Sequence, residues 1–197
     1  MTDNTVYFTD RMIIAISGKL GAGKDTFAGF LLQEALSNGI DARLEAFATT
    51  LKQTAFILTN DHRFADDAER CPVDRAYKDD ASIYPGMSNG QLLVALGDCL
   101  RKTLGDDVFI RSLASRLHDG LTIITDMRTN AEAEWVHERK GMTIRIDGDP
   151  TGIRARTTRD NKHRTETELD DYAFDHVIAN DRDLNALREA ARRILQQ

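Results

Sequence analysis

The chain has 197 residues, of which 41% are hydrophobic and 29% are charged, and this fits one globular domain with a sizeable core. A net charge of −6 argues against a protein that binds nucleic-acid polymers through a basic surface. No apolar stretch approaches the roughly 20 residues that cross a bilayer, and residues 1–10 lack the layout of a signal peptide. We therefore expect a cytoplasmic protein with no membrane partner.

The first half of the chain alternates predicted strands and helices. An all-apolar run is typical of a strand covered on both faces, and apolar residues at helical spacing followed by Gly39 indicate a helix with a defined end. The predicted order is a strand at Met12–Ile16, a helix at Asp25–Asn38, a strand at Ala42–Phe47 and a helix at Thr50–Leu58. The inner face of the first helix is predicted to hold Phe27, Phe30, Leu31, Ala35 and Leu36.

A polar stretch from Asn60 to Asn89 interrupts this pattern, with clustered charges, Pro72 and Pro85 and little apolar periodicity. It is too long for an ordinary connection and is interpreted as a functional or mobile excursion. Ser88 is predicted to cap a helix at Gln91–Leu104, and Asp106 to cap a second one that runs through Leu117. Cys99 lies in an apolar run and is expected to be a buried thiol.

The second half continues the alternation. The predicted elements are a strand at Leu121–Asp126, a helix at Glu132–Lys140, strands at Thr143–Ile146 and His176–Ala179, and a helix at Leu184–Leu195. The last helix is expected to turn Leu184, Leu187, Ala191, Ile194 and Leu195 inward. Alternating strands and helices predict an α/β fold in which a parallel sheet carries helices on both faces. Such sheets bind ligands at the carboxyl ends of their strands.

A phosphate-binding loop is the strongest motif. Gly18–Thr26 has the form G-x-x-x-x-G-K followed by Asp and Thr, between a buried strand and a helix. In such loops glycines let backbone N–H groups converge on phosphate oxygens, and the lysine supplies a point charge. The motif makes Lys24 a catalytic candidate and predicts nucleotide contacts from Leu20, Gly21, Ala22, Gly23, Lys24, Asp25 and Thr26.

Three oxygen-bearing residues are candidates for holding Mg²⁺. Asp25 stands where a Ser or Thr is usual, so Asp25 and the hydroxyl of the neighbouring Thr26 are candidate ligands. Asp126 closes the strand that begins at Leu121, which is the position of a Walker-B-type carboxylate. The alternative for Asp126 is an ordinary residue at a strand end.

Phosphoryl transfer needs cations beyond the loop lysine. Arg128 follows Asp126 on the same rim, and Lys52 and Arg101 are candidates for an acceptor's phosphate, although each alone also fits a surface residue. A basic segment without an apolar face predicts a lid over phosphates; its alternative is a solvated surface. Its cations are Arg154, Arg156, Arg159, Lys162 and Arg164.

Several motifs along the chain together resemble the phage-type deoxynucleoside monophosphate kinases of the P-loop superfamily. They are the GKDT ending of the loop at Gly23–Thr26, the segment Phe47–Lys52 similar to F-A-x-P-L-K, and the stretch Leu92–Arg101 similar to L-L-Q-x-x-G-T-E-x-x-R. Asp126, Arg128 and Glu132 match D-x-R-x-x-x-E, residues 163–166 resemble H-x-S-E, and Asp175–Asn180 resembles D-x-x-I-x-N. Thr50, Val94, Asp98 and Cys99 depart from the family's pattern.

The resemblance implies a single P-loop kinase domain with a three-layer α/β/α core, an acceptor-binding region at about 48–105 and a lid at about 150–168. It implies ATP and Mg²⁺, with a (deoxy)nucleoside monophosphate as the small-molecule acceptor, in the host cytoplasm if a phage encodes the chain. Catalysis would then involve Lys24, Arg128, Arg154 and Arg156, acceptor binding Phe47, Lys52, Arg101, Arg128 and Glu132, and the adenine site Asn180.

Two alternatives remain open at this point. A P-loop kinase for another small acceptor, similar to dephospho-coenzyme A or phosphomevalonate, would keep the fold and change the acceptor site. An NTP-binding switch or assembly ATPase is the second, but Asn161–Arg164 lacks the acidic residue of N-K-x-D and no DE pair follows Leu121–Thr125. The sequence also leaves open whether the chain forms a homodimer through exposed apolar helix faces.

Overall fold

The computed structural model describes residues 11–69, 75–152, 167–181 and 183–196. These residues form two compact units. The first unit comprises residues 11–45, 116–152, 167–181 and 183–196, and the second comprises residues 46–69 and 75–115. Within the described residues every helix is too short or too polar to cross a lipid bilayer.

The first unit is built on a parallel sheet of five strands in the order β2-β3-β1-β4-β5. The strands are β1 (Met12–Ser17), β2 (Ala42–Glu45), β3 (Leu121–Ile124), β4 (Met142–Asp147) and β5 (His176–Ala179). The central strand pairs Ile14 with Ile123 and Ile16 with Ile144. These side chains are fully enclosed, which explains why β1 and β3 read as continuous apolar runs.

The helices that the described residues form are α1 (Lys24–Ser37), α2 (Thr49–Thr59), α3 (His62–Ala68), α4 (Asn89–Leu104), α5 (Val108–Ala114), α6 (Asn130–Glu138) and α7 (Leu184–Ile194), with a 3₁₀ helix at Arg75–Asp79. The predicted elements thus exist, with ends shifted by a few residues. The strand predicted at Ala42–Phe47 stops at Glu45, and the helix predicted from Glu132 begins at Asn130.

Helices cover both faces of the sheet. On one face, Leu31 of α1 and Leu187 of α7 pack with Ile14 and Ile144 in one buried cluster. Side chains alternate across a strand, so Ile13 points to the opposite face, where α6 packs against β1 and β4. The three-layer α/β/α core with a parallel sheet is therefore confirmed.

Two predicted inner residues lie at the surface instead. Leu36 in the last turn of α1 is 54% exposed, and Leu184, the first residue of α7, is 64% exposed. Helical periodicity defines the direction in which a side chain points, but neighbouring elements cover only part of a helix's length. Both residues lie in terminal turns, where that cover ends.

The second unit is helical, and the described part of the Asn60–Asn89 stretch contributes to its core. Ala55, Phe64, Tyr77 and Leu92 form a buried cluster, in which the rings of Phe64 and Tyr77 meet edge to face with centroids 5.3 Å apart. The described part of the stretch also contains α3 and the 3₁₀ helix. Helices this short do not show apolar periodicity, which is why the sequence pattern missed them.

Three local predictions in the second unit have different outcomes. Ser88 caps α4 in a reciprocal capping box with Gln91, as predicted. For α5, Asp107 rather than Asp106 precedes the helix, which ends at Ala114, and the Asp107 carboxylate pairs with Arg111 instead of capping. The expectation of a buried Cys99 is wrong, because an apolar run in a helix faces several directions and this thiol is exposed.

Candidate functional site

The G-x-x-x-x-G-K loop lies between the carboxyl end of β1 and the first residue of α1, Lys24. Gly23 has φ 93°, a left-handed conformation that suits glycine, and it forms the N-cap of α1. A Cβ on Gly18 would lie 2.4 Å from the carbonyl oxygen of Ile146, so a larger residue would push the loop away from β4. The glycines of the motif are thus needed by the backbone that the structure forms.

Lys24 lies over the loop that precedes it. Its Nζ donates to the carbonyl oxygens of Gly18, at 2.6 Å, and Lys19, at 2.9 Å. These bonds place a positive charge beside the backbone of the loop and the N-terminus of α1. Helix N-termini favour anions because their first N–H groups have no partner within the helix and the helix dipole is positive there.

Asp126 lies beside this loop because β3 is the neighbour of β1. The pair Ala15 and Ile124 ends the ladder between the two strands, and the N–H of Met127 then donates to the carbonyl oxygen of Ile16 at 3.2 Å. Asp126 therefore follows the carboxyl end of β3 at the point where β1 enters the loop. The topology, which places β3 next to β1, supplies this proximity.

The three candidate metal ligands offer carboxylate and hydroxyl oxygens, which suit Mg²⁺. Asp25 lies in the first turn of α1, next to Thr26, and Asp126 follows β3. Within the described residues no group of three or more His, Cys, Asp or Glu side chains is placed to hold a metal ion by itself. A few protein oxygens that leave further positions to phosphates and water are the usual protein share of a Mg²⁺ site, so the donor set fits this ion.

Glu132, an expected contact of the acceptor, forms part of the N-terminal cap of α6. Its Oε2 accepts hydrogen bonds from the N–H groups of Arg128, at 2.7 Å, and Thr129, at 3.1 Å, while the Thr129 hydroxyl accepts from the N–H of Glu132. This is a reciprocal capping box, and both side chains in it are buried. Glu132 thereby holds the backbone of Arg128 at the rim of the sheet.

Asn180, expected near an adenine, reaches the phosphate loop with its side chain. It follows β5 and is buried, and its Nδ2 donates to the carbonyl oxygen of Ala22 at 2.9 Å. Its own N–H donates to the carbonyl oxygen of Asp147 at 2.6 Å. The loop after β1 is thus connected to the ends of β4 and β5.

Sequence reasoning missed a second connection to the loop. Lys19 forms an ion pair with Asp170 at 2.5 Å, and Arg145 reaches the same carboxylate at 3.3 Å. The hydrogen bond from Lys19, helped by the nearby positive charges, lowers the pKa of Asp170 below its ordinary value. Neither residue carries a motif signal, because Lys19 occupies a variable position of the loop and Asp170 lies far along the chain.

The acceptor candidates Phe47, Lys52 and Arg101 belong to the second unit. Phe47 is 2% exposed, which leaves it little surface for a direct contact with a ligand. Lys52 pairs with the buried carboxylate of Asp67 at 3.2 Å. The guanidinium of Arg101 lies 4.8 Å from the centroid of the Phe109 ring. Two of the three candidates thus have identified partners within this unit, and Phe47 is part of its interior.

The predicted lid lies outside the described residues. Arg154 and Arg156, and with them Arg159, Lys162 and Arg164, fall in the range 153–166. The described chain resumes at residue 167, and here the Glu168 carboxylate accepts a hydrogen bond from the N–H of Asn130 at 2.9 Å. The segment that follows the predicted lid is therefore anchored both to α6 and, through Asp170, to the phosphate loop.

No protein-family model matches the chain, and no curated protein sequence does either. Among solved structures, the APS kinase CysC of Mycobacterium tuberculosis in complex with AMPPNP and APS is similar with a TM-score of 0.50 at 12% identity, over 95% of this chain and 99% of that one. Shikimate kinase from Acinetobacter baumannii in complex with shikimate has a TM-score of 0.46 at 15% identity, over 96% and 93% of the two chains. The first likeness shows that the chain shares the fold of this APS kinase; the second, at its lower score, adds nothing to this.

Proposed function

We propose that the chain is an ATP-dependent phosphotransferase that moves the γ-phosphoryl group to a (deoxy)nucleoside monophosphate. The observation that carries the proposal is the loop Gly18–Gly23 at the N-terminus of α1, with Lys24 over its backbone and Asp126 at the end of the neighbouring strand. The kinase fold and the AMPPNP of the similar APS kinase structure support a nucleoside triphosphate as the ligand. The choice of acceptor is based on the motif resemblance.

In this reaction the bond between the γ-phosphorus and the β,γ-bridging oxygen breaks, and a bond from an acceptor phosphate oxygen to that phosphorus forms. Lys24 and the N–H groups of the loop stabilise the charge on the transferring group, together with Arg128, Arg154 and Arg156. Lys52, Arg101 and Arg128 hold the acceptor's phosphate, with Phe47 and Glu132 as the remaining proposed contacts. Bound Mg²⁺ would supply charge neutralisation at the phosphates, held through Asp25, Thr26 and Asp126.

A phosphate acceptor needs no general base from the protein. Its second ionisation has a pKa of about 6, so the attacking oxygen is already anionic at neutral pH. An alcohol acceptor instead has a proton to lose, and a kinase for it usually supplies a general base. The rate with a monophosphate acceptor should therefore rise as the pH increases through about 6 and then level off.

The experiment is an ADP-release assay with ATP and Mg²⁺ against dAMP, dGMP, dCMP, dTMP and the matching ribonucleotides. We expect strong stimulation by one or more of these monophosphates. Replacing Lys24 with Ala should lower kcat by about 10²–10³-fold, because a charge on the transferring phosphoryl group is lost. Arg193→Ala, at an exposed position in the last turn of α7, is the matched control and should leave kcat unchanged.

Slow ADP release that is indifferent to every monophosphate would contradict this acceptor class. Acceptors similar to dephospho-coenzyme A or phosphomevalonate would then be tested with the same assay. ADP release that needs no acceptor at all would instead favour an NTP-binding switch.

A further inference from the structure

Asn180 is fixed at both its backbone and its side chain. The backbone N–H donates to the carbonyl oxygen of Asp147 at the end of β4, 2.6 Å away. The side-chain Nδ2 donates to the carbonyl oxygen of Ala22 at 2.9 Å, and the residue is 7% exposed. Asn180 thus joins the end of the sheet to one particular peptide group of the phosphate loop.

That peptide group links Ala22 to Gly23. No cis peptide bond occurs among the described residues, and in a planar trans peptide the C=O and the N–H point in opposite directions. A hydrogen bond that fixes the Ala22 oxygen therefore also fixes the direction of the Gly23 N–H, which points away from Asn180. Phosphate loops bind their ligand through converging backbone N–H groups, so the orientation of this peptide matters for binding.

The surroundings of Asn180 leave the contact little freedom. A Cβ on Gly23 would lie 2.4 Å from the Asn180 Nδ2, and a Cβ on Gly148 would lie 2.4 Å from the Asn180 carbonyl oxygen. Both glycines have positive φ, 93° at Gly23 and 148° at Gly148. Asn180 therefore occupies a space that exists only because its two neighbours lack side chains.

We infer that Asn180 is a positioning residue for phosphate binding, which acts by holding the Ala22–Gly23 peptide so that the Gly23 N–H faces the bound phosphates. This inference rests on the proposed function, since it assumes that the loop binds a nucleoside triphosphate. It differs from a contact with the base: a positioning residue acts on the phosphates whether or not a base is attached to them.

The test compares ATP with inorganic tripolyphosphate, which has the phosphates and no base. Dissociation constants of both ligands are measured by calorimetry for the wild-type chain and for Asn180→Ala. We expect the substitution to weaken both ligands by a similar factor of about tenfold, the effect of one lost buried hydrogen bond. The matched control is Asn38→Ala, which removes an asparagine Nδ2 bond to the carbonyl oxygen of Glu34, 2.9 Å long, at the other end of α1; it should change neither constant.

A weaker affinity for ATP with unchanged tripolyphosphate binding would overturn the inference in favour of a base contact, and unchanged binding of both ligands would overturn it outright. If the wild-type chain binds neither ligand, the proposed function fails. If the wild-type chain binds both ligands and Asn180→Ala binds them equally well, the proposed function stands and only the inference fails. Melting temperatures show whether Asn180→Ala is folded. If it is not, Asn180→Ser carries the same comparison, because its hydroxyl is polar but too short to reach the Ala22 oxygen.

Discussion

The ammonium of Lys19 in the phosphate loop pairs with the carboxylate of Asp170, 2.5 Å from Oδ1 and 2.7 Å from Oδ2. The two residues are 151 positions apart in the sequence. Exposed ion pairs contribute little to stability, and the Asp170 side chain is 42% exposed. The pair has a consequence for binding instead. The proposed ligand of the loop is an anion, and the carboxylate of Asp170 places a negative charge beside one of the loop's cations, Lys19.

Replacing Asp170 with Asn should therefore strengthen the binding of tripolyphosphate about two- to fivefold at low ionic strength, because the substitution removes a negative charge beside Lys19. The gain should disappear at about 1 M salt, where the Debye length is about 3 Å. Calorimetric titration at both salt concentrations measures this. Asp119→Asn, which removes an exposed pair with Arg11 at the opposite end of the sheet, is the control. Weaker binding by Asp170→Asn would show that the pair instead holds the loop in place.

Gly23→Ala should abolish nucleotide binding in a chain that still folds. The added Cβ would lie 2.4 Å from the Asn180 Nδ2, and the φ of 93° is strained for any residue with a side chain. Gly29→Ala is the matched control, because a Cβ there has no neighbour within 4 Å and Ala favours the helix by about 0.5–1 kcal/mol. Nucleotide titration and thermal unfolding of both variants check the prediction; tight binding by Gly23→Ala would contradict the close packing of the loop on Asn180.

Substitutions at Glu132 separate its observed capping role from the proposed contact with the acceptor. Glu132→Ala removes the acceptor of two backbone N–H groups and should lower the free energy of unfolding by about 1–2 kcal/mol, as should Thr129→Ala, which removes the other half of the box. Glu132→Gln keeps an oxygen for the cap. If the KM of the acceptor rises about tenfold in Glu132→Gln while the melting temperature stays the same, the charge of Glu132 contributes to acceptor binding.

Asp175 should stabilise the pairing of β4 with β5 in a pH-dependent way. Partial burial by itself would raise the pKa of Asp175, but hydrogen bonds from the N–H and hydroxyl of Thr143, at 2.8 Å and 2.7 Å, hold it below the ordinary value of 3.8. A lowered pKa in the folded state means that the stabilisation is complete well above pH 3.8 and is lost as the pH falls through the folded-state pKa.

Asp175→Asn should accordingly lower the melting temperature at pH 7 and have a smaller effect in acid. The carboxylate is partly exposed to water, so we expect a loss of about 1 kcal/mol, or about 2–4 °C. Thermal unfolding between about pH 7 and pH 3 measures the difference between this variant and the wild type. A difference that does not shrink as the pH falls below 3.8 would contradict the role of the charge. Asp119→Asn again serves as the control.

Local sequence patterns predicted the sheet and the loop well. The strand His176–Ala179 was placed at its observed ends, and the cap of α4 at Ser88 was identified. Both features depend on residues close in the chain: an apolar run bounded by polar residues, and a serine three positions before a glutamine. Local patterns do not predict whether a side chain is buried, because burial depends on which other elements cover it. Cys99 and Leu184 are apolar or nearly so, and both are exposed.

The sequence by itself therefore determined that the chain forms a parallel α/β sheet with a phosphate loop after its first strand. The tertiary structure decided which distant residues hold that loop. The Asn180 side chain meets Ala22 across 158 positions because β4 pairs with β1 and β5 pairs with β4 in the sheet, and Lys19 meets Asp170 in the same unit. Periodicity and turn chemistry act over a few residues, whereas such contacts follow from the order of the strands, which results from packing the whole sheet.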